Sequence, residues 1–110
     1  MVATYEDAHL VVQLMRLSTD MGVDAAMKEV FSAGFNAADG SIDNESARTI
    51  LNFGETLGTL VKHNVLDWDL LSDLFWIDGM WSKVAARATY LRDTMGDARL
   101  YEHFESLATH

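Results

Sequence analysis

The sequence predicts an all-α domain of four to five helices, one of them long. Three observations carry that prediction. The 110 residues contain no proline where average usage would supply about five. The seven glycines fall mostly between apolar stretches rather than inside them. Within those stretches apolar residues recur at intervals of three and four, the period of a helix with one buried face. At 49% hydrophobic and 23% charged, the composition is that of a folded globular chain, and the length suits one domain spanning 1–110.

The first helix is legible from its polar residues. His9, Gln13, Arg16 and Asp20 form one narrow stripe, and Leu10, Val11, Val12, Leu14, Met15 and Leu17 fill the rest of the circumference. So wide an apolar surface suits a helix at the centre of the domain or one half of an oligomer contact. Gly22 can close it in the left-handed conformation. Asp24 is a plausible cap for a short second helix with Met27, Val30 and Phe31 inward and Gly34 as its stop. Phe35 to Gly40 reads as a loop.

Asp43 is the next cap candidate, and Ile50, Phe53, Leu57 and Leu60 mark the buried face of the third helix. Gly54 and Gly58 stand four apart on that helix, where each costs about 1 kcal/mol of propensity against alanine. Close approach of another helix is the physical reason for such a pair. Asn64 suits the left-handed position after the helix, and Asp67 suits the N-cap of the next.

Leu70, Leu74, Ile77, Trp81, Val84, Ala88, Leu91 and Met95 alternate intervals of four and three. This seam predicts one continuous helix from about Trp68 to Met95, roughly 42 Å long at 1.5 Å per residue. A break at Asp78 and Gly79 is the competing reading, but it would require the register to match by accident across a short turn. Gly96 closes the long helix. Asp97 caps the last, with Tyr101, Phe104 and Ala108 as its apolar stripe. The long helix and the third would form an antiparallel core crossed by the first.

Several function classes are excluded or weakened. Seventeen acids against eight bases give a formal charge of −9, which repels phosphate backbones and anionic membrane surfaces. A helix-turn-helix reading around Asn64 fails for the same reason, because Asp67, Asp69, Asp73 and Asp78 load the would-be recognition helix with acid. The absence of cysteine removes disulfides, thiolate metal sites and cysteine nucleophiles. The acidic start is unlike a secretory signal, and the run Leu10 to Met15 is far too short to span a bilayer, so the cytoplasm is the expected compartment.

The stretch from Phe53 to Asp67, with its Phe-x-Glu-x-x-Gly and Leu-Asp elements, together with Trp81, Arg92 and the closing Phe104-Glu105-Ser106-Leu107-Ala108, resembles the bacterial family termed domain of unknown function 4760. The resemblance implies an all-helical domain with no assigned activity. Asn64 stands where that pattern would have glycine, a departure the left-handed position tolerates.

Candidate chemistry is sparse. Glu55 shares the glycine face of the third helix, so its carboxylate needs a partner. Arg87 or Arg92 in a structural ion pair is expected. Trp81 and Arg92 join Glu55 as binding candidates, and Trp76, off the seam, is a fourth, suited to anchoring a partner. Glu6 and His9 form one Glu-x-x-His pair, half of what a di-iron bundle needs. A solvated surface is the simpler reading of that pair, and neither a metal nor a cofactor is expected. No catalytic residue stands out. The leading expectation is a non-catalytic helical module that self-associates, as a dimer, or binds a protein partner, with no nucleic-acid or membrane role. The alternative is a small-molecule binder with Trp81 and methionines around an apolar pocket, and a metal-dependent enzyme is third.

Overall fold

The computed structural model describes residues 5–37 and 44–110. Six helices follow in order: α1 (Tyr5–Met21), α2 (Val23–Val30), α3 (Glu45–Lys62), α4 (Trp68–Leu74), α5 (Ile77–Met95) and α6 (Glu102–Ala108). The described residues contain no strand. No helix among them is long and apolar enough to cross a membrane.

The centre of the molecule is α3. It buries Ile50, Leu51, Phe53 and Leu57 completely and packs most extensively against α6, then α2, then α5. The apolar core draws on all six helices, from Leu14 of α1 through Leu71 of α4 to Phe104 and Leu107 of α6. Helix α1 is not central, although its wide apolar surface suits that place. It lies against α2 and one edge of α3, and only Asp7 and Leu14 of its residues are buried.

Helix ends follow local chemistry where a suitable side chain or glycine is present. Asn44 caps α3 by accepting from the Ala47 N–H at 3.0 Å; the candidate cap Asp43 lies outside the described residues. Asn64 is left-handed at φ 59° after α3, and the amides of Asn64 and Val65 bond back to the carbonyls of Val61 and Leu60. This is the paired closure in which a left-handed residue satisfies two orphan carbonyls. Asp67 caps α4 through the Leu70 N–H at 3.3 Å, and Gly96 closes α5 at φ 68°.

Two expected caps are displaced. The residue preceding α2 is left-handed Gly22, and Asp24 lies inside the first turn. Asp97 accepts from the Arg99 N–H at 2.9 Å and organises a turn, while α6 begins only after left-handed Tyr101.

The long helix is broken, and not at Gly79. Phe75 is extended at φ −127°, ψ 138°, and α5 restarts at Ile77. Burial explains the break. Leu71 is buried, as are Ile77, Met80, Val84 and Ala88. In one continuous helix Leu71 and Ile77 would point about 120° apart. Interrupting the helix buries both and swings Phe75 edge-on against Phe53 at 5.4 Å. The expected seam holds in α5 from Ile77 to Leu91, but Leu74 and Met95, which the seam would place inside, are exposed. Gly79 instead makes room for an aromatic ring. A Cβ there would collide with the indole of Trp76, which folds back over the first turn of α5.

Candidate functional site

The glycine pair of α3 marks a close helix contact. Gly54 receives the ring of Phe104, and Gly58 receives the backbone of His103; a Cβ at either position would overlap those atoms. The start of α6 therefore rests directly on α3.

That start has no capping side chain of its own, because Tyr101 precedes it in the left-handed conformation and makes no cap hydrogen bond. Glu55 supplies the missing acceptor. Its Oε1 takes the Phe104 N–H at 2.9 Å, so a carboxylate on one helix satisfies an orphan amide of another. The expected arginine pair is replaced. Arg92 donates from Nε to the Leu100 carbonyl at 2.7 Å and from its terminal nitrogen to Glu105 at 3.2 Å. Its guanidinium also stands 5.9 Å from the Trp81 ring. The amide of Phe104 is nearer to Glu55 along the glycine face, and Arg92 is used to fasten the turn that leads into α6.

Trp81 completes the junction, meeting Phe104 edge-on at 5.1 Å. Tyr101 adds a hydrogen bond from its hydroxyl to Asn52 Oδ1 at 3.1 Å. Burial pushes the Tyr101 phenol above its ordinary pKa, with Glu55 adding to the effect and Arg48 opposing it.

Glu55, Gly58, Trp81, Arg92, Phe104 and Glu105 come from three helices and carry the sequence resemblance described above; all of them meet at this junction. The profile of the family described as Domain of unknown function (DUF4760) matches residues 4–110. The chain belongs to the DUF4760 family. Comparison with curated proteins and with solved structures gives no match. In this DUF4760 domain three of the four binding candidates, Glu55, Trp81 and Arg92, make contacts that hold α6 onto α3 and α5.

Replacing Glu55 tests that role. Glu55→Ala leaves the Phe104 amide without its acceptor and is expected to cost about 1.5 kcal/mol in denaturant unfolding, the range of a lost cap. Glu55→Gln keeps a carbonyl oxygen in place and should lose less than half as much. Equal losses in the two variants would make charge, rather than the hydrogen bond, the operative property.

The remaining candidates lie elsewhere. Trp76 is 67% exposed and stacks on Phe31 at 5.5 Å, with the Lys83 ammonium 5.2 Å from the same Phe31 ring. Glu6 and His9 are exposed on the first turns of α1, and among the described residues no group of three or more histidines and acids is placed to hold a metal ion. Of the residues expected around an apolar pocket, Trp81 is packed on Phe104, Met80 is buried and Met95 is exposed to solvent.

The DUF4760 domain also has a cleft that motif reasoning missed. About 490 Å³ in volume, it opens where the last turn of α3 meets the outer side of α6. Arg99, His103, Ser106 and His110 all line it, and their spacing of four, three and four is a helical stripe visible in the sequence. Arg99 grips Glu102 with contacts of 2.9 and 3.1 Å, and that hydrogen bonding holds the Glu102 carboxyl below the usual range.

Proposed function

We propose that this DUF4760 domain is a non-catalytic helical module that self-associates through the solvent face of α1, as an antiparallel dimer. The observation that carries the proposal is an exposed apolar stripe on a helix whose inner side is already packed. Tyr5, Ala8, Val12 and Met15 recur at intervals of three and four on the outward face, with Tyr5 85%, Val12 57% and Met15 47% exposed. Leu10, Val11, Leu14, Leu17 and Met21 serve the domain's own core. A 3–4 stripe without a partner is the pattern with which helices pair at shallow angles.

Charge supports the antiparallel sense. Two parallel copies would set Arg16 against Arg16, whereas antiparallel pairing about Val12 brings each Arg16 toward the acidic first turn of the other helix, which carries Glu6. The opposed helix dipoles favour the same arrangement. A 17-residue helix is about 25 Å long, and one such pair covers less than the roughly 800 Å² per partner of a standard stable interface. The expected dimer is therefore weak and concentration-dependent.

Sedimentation over a concentration series extending to the millimolar range should show the 12.3 kDa chain passing to twice that mass. Val12→Glu should abolish the transition with a stability change within about 0.5 kcal/mol, as for other exposed substitutions. Because the chain has no cysteine, Val12→Cys gives a single thiol near the dimer axis, which should oxidise to a disulfide-linked dimer faster than a cysteine placed at Asp93. Persistent monomer at the highest concentration, or equal oxidation rates, would overturn the proposal.

A further inference from the structure

We propose that the cleft between the last turn of α3 and α6 binds a small amphipathic monocarboxylate, a ligand with an apolar body and one negative charge. The cleft has the volume of a small-molecule site, about 490 Å³ against the roughly 300–1,000 Å³ usual for such pockets. Its floor is apolar, formed by Gly58, Val61 and Leu107, and its rim carries Lys62, His103 and His110. The two parts suit the two parts of such a ligand.

The rim is a local exception in a chain of net charge −9. The cleft lining has one acidic side chain, Glu102, which Arg99 pairs, with His103 Nε2 3.6 Å away and the Lys62 charge contributing least to the lowering of its pKa. Among the described residues no carboxylate lies within ion-pair distance of Lys62. Glu102 is held chiefly by Arg99, so Lys62, which acts on it only from beyond ion-pair distance, is the ammonium group left to meet an incoming anion, with His103 and His110 beside it. That balance favours a single carboxylate over a polyanion, which Glu102 and the acidic surroundings would repel.

The walls are held in place without a ligand. Gly58 is fixed under the His103 backbone. His110 stacks on Trp68 at 4.2 Å, and the Trp68 indole N–H bonds the Leu107 carbonyl at 3.1 Å. A preformed site spends less of its binding energy on ordering side chains.

The test is a titration of the isotopically labelled full chain with 3-phenylpropionate, its neutral counterpart 3-phenylpropanol, and inorganic phosphate, followed by amide NMR. Phenylpropionate should shift the amides of Gly58, Val61, His103 and Leu107 saturably. Phenylpropanol should bind the same residues at least about tenfold more weakly, the effect of losing one favourable charge contact. Lys62→Gln, an exposed substitution, should remove that difference while leaving alcohol binding unchanged. Equal binding of acid and alcohol to the wild-type chain would overturn the proposal, as would shifts confined to α1. Saturation of the same amides by phosphate alone at equal affinity would also overturn it, since the apolar floor would then play no part.

Discussion

Phe104→Ala is expected to lower stability by about 4 kcal/mol, the cost of emptying a fully buried phenylalanine site. The loss is a large part of the roughly 5–15 kcal/mol available to a domain, and corresponds to a fall in Tm of roughly 15–25 °C. Phe104 carries this weight because its ring fills the space left by the missing Gly54 side chain and meets Trp81 on its other side. The pairing with Gly54 gives a sharper expectation in the double variant. Gly54→Ala alone should destabilise, since its methyl would overlap the Phe104 ring. In the Phe104→Ala background the same change should become neutral or stabilising, because the clash is gone and alanine recovers about 1 kcal/mol of helix propensity. A Gly54→Ala effect of the same sign and size in both backgrounds would show that the ring does not set the requirement for glycine. Thermal and denaturant unfolding of the four chains decides it.

Gly58→Ala is the second large effect. The atoms opposed to Gly58 are the carbonyl and amide backbone of the His103–Phe104 peptide rather than a side-chain tip, so rotamer changes cannot relieve the overlap. Helix α6 must move away from α3, which lengthens the Glu55 hydrogen bond to Phe104 and opens the cleft floor. The expected net loss is about 2–3 kcal/mol after the propensity gain of alanine is counted. Hydrogen exchange should locate it: amides of α6 lose protection while those at the centre of α3 retain theirs, since local opening precedes global unfolding. A change within about 0.5 kcal/mol, the range of neutral surface substitutions, would mean that the contact is looser than the geometry indicates.

These two glycines are legible in the sequence as a close-contact signal, but their partner is not. Spacing reports which face of a helix is special, and says nothing of what arrives there. The partner is α6, a helix of seven residues too short to announce itself as a major packing element. Glu55 is similarly legible as a carboxylate in need of a partner. Side-chain chemistry suggests arginine, whereas the partner is a backbone amide, a group every residue but proline carries and which no sequence pattern singles out.

The broken helix teaches the converse. No proline or glycine stands at Phe75 or Trp76, and Leu70 and Leu74 happen to keep the register of α5, so the seam runs on past the true break. The periodicity describes α5 correctly from Ile77 to Leu91, and misleads only where it extends into a separate helix. The wide apolar surface of α1 is also evident in the sequence, but its place at the periphery depends on how much of α3 the other helices already cover.

The sequence by itself determined the all-helical class, the caps at Asn64, Asp67 and Gly96, and membership of the DUF4760 family, because these depend on residues acting within a turn or two of themselves or on a pattern spread along the chain. Only the tertiary structure decided where the long seam breaks, what Glu55 and Arg92 hold, which face of α1 is left to solvent, and that Lys62 and His103 line one cleft. Each of those is a competition among distant segments for the same buried surface or the same hydrogen-bonding group. Its outcome is set by the whole core, which local periodicity does not record.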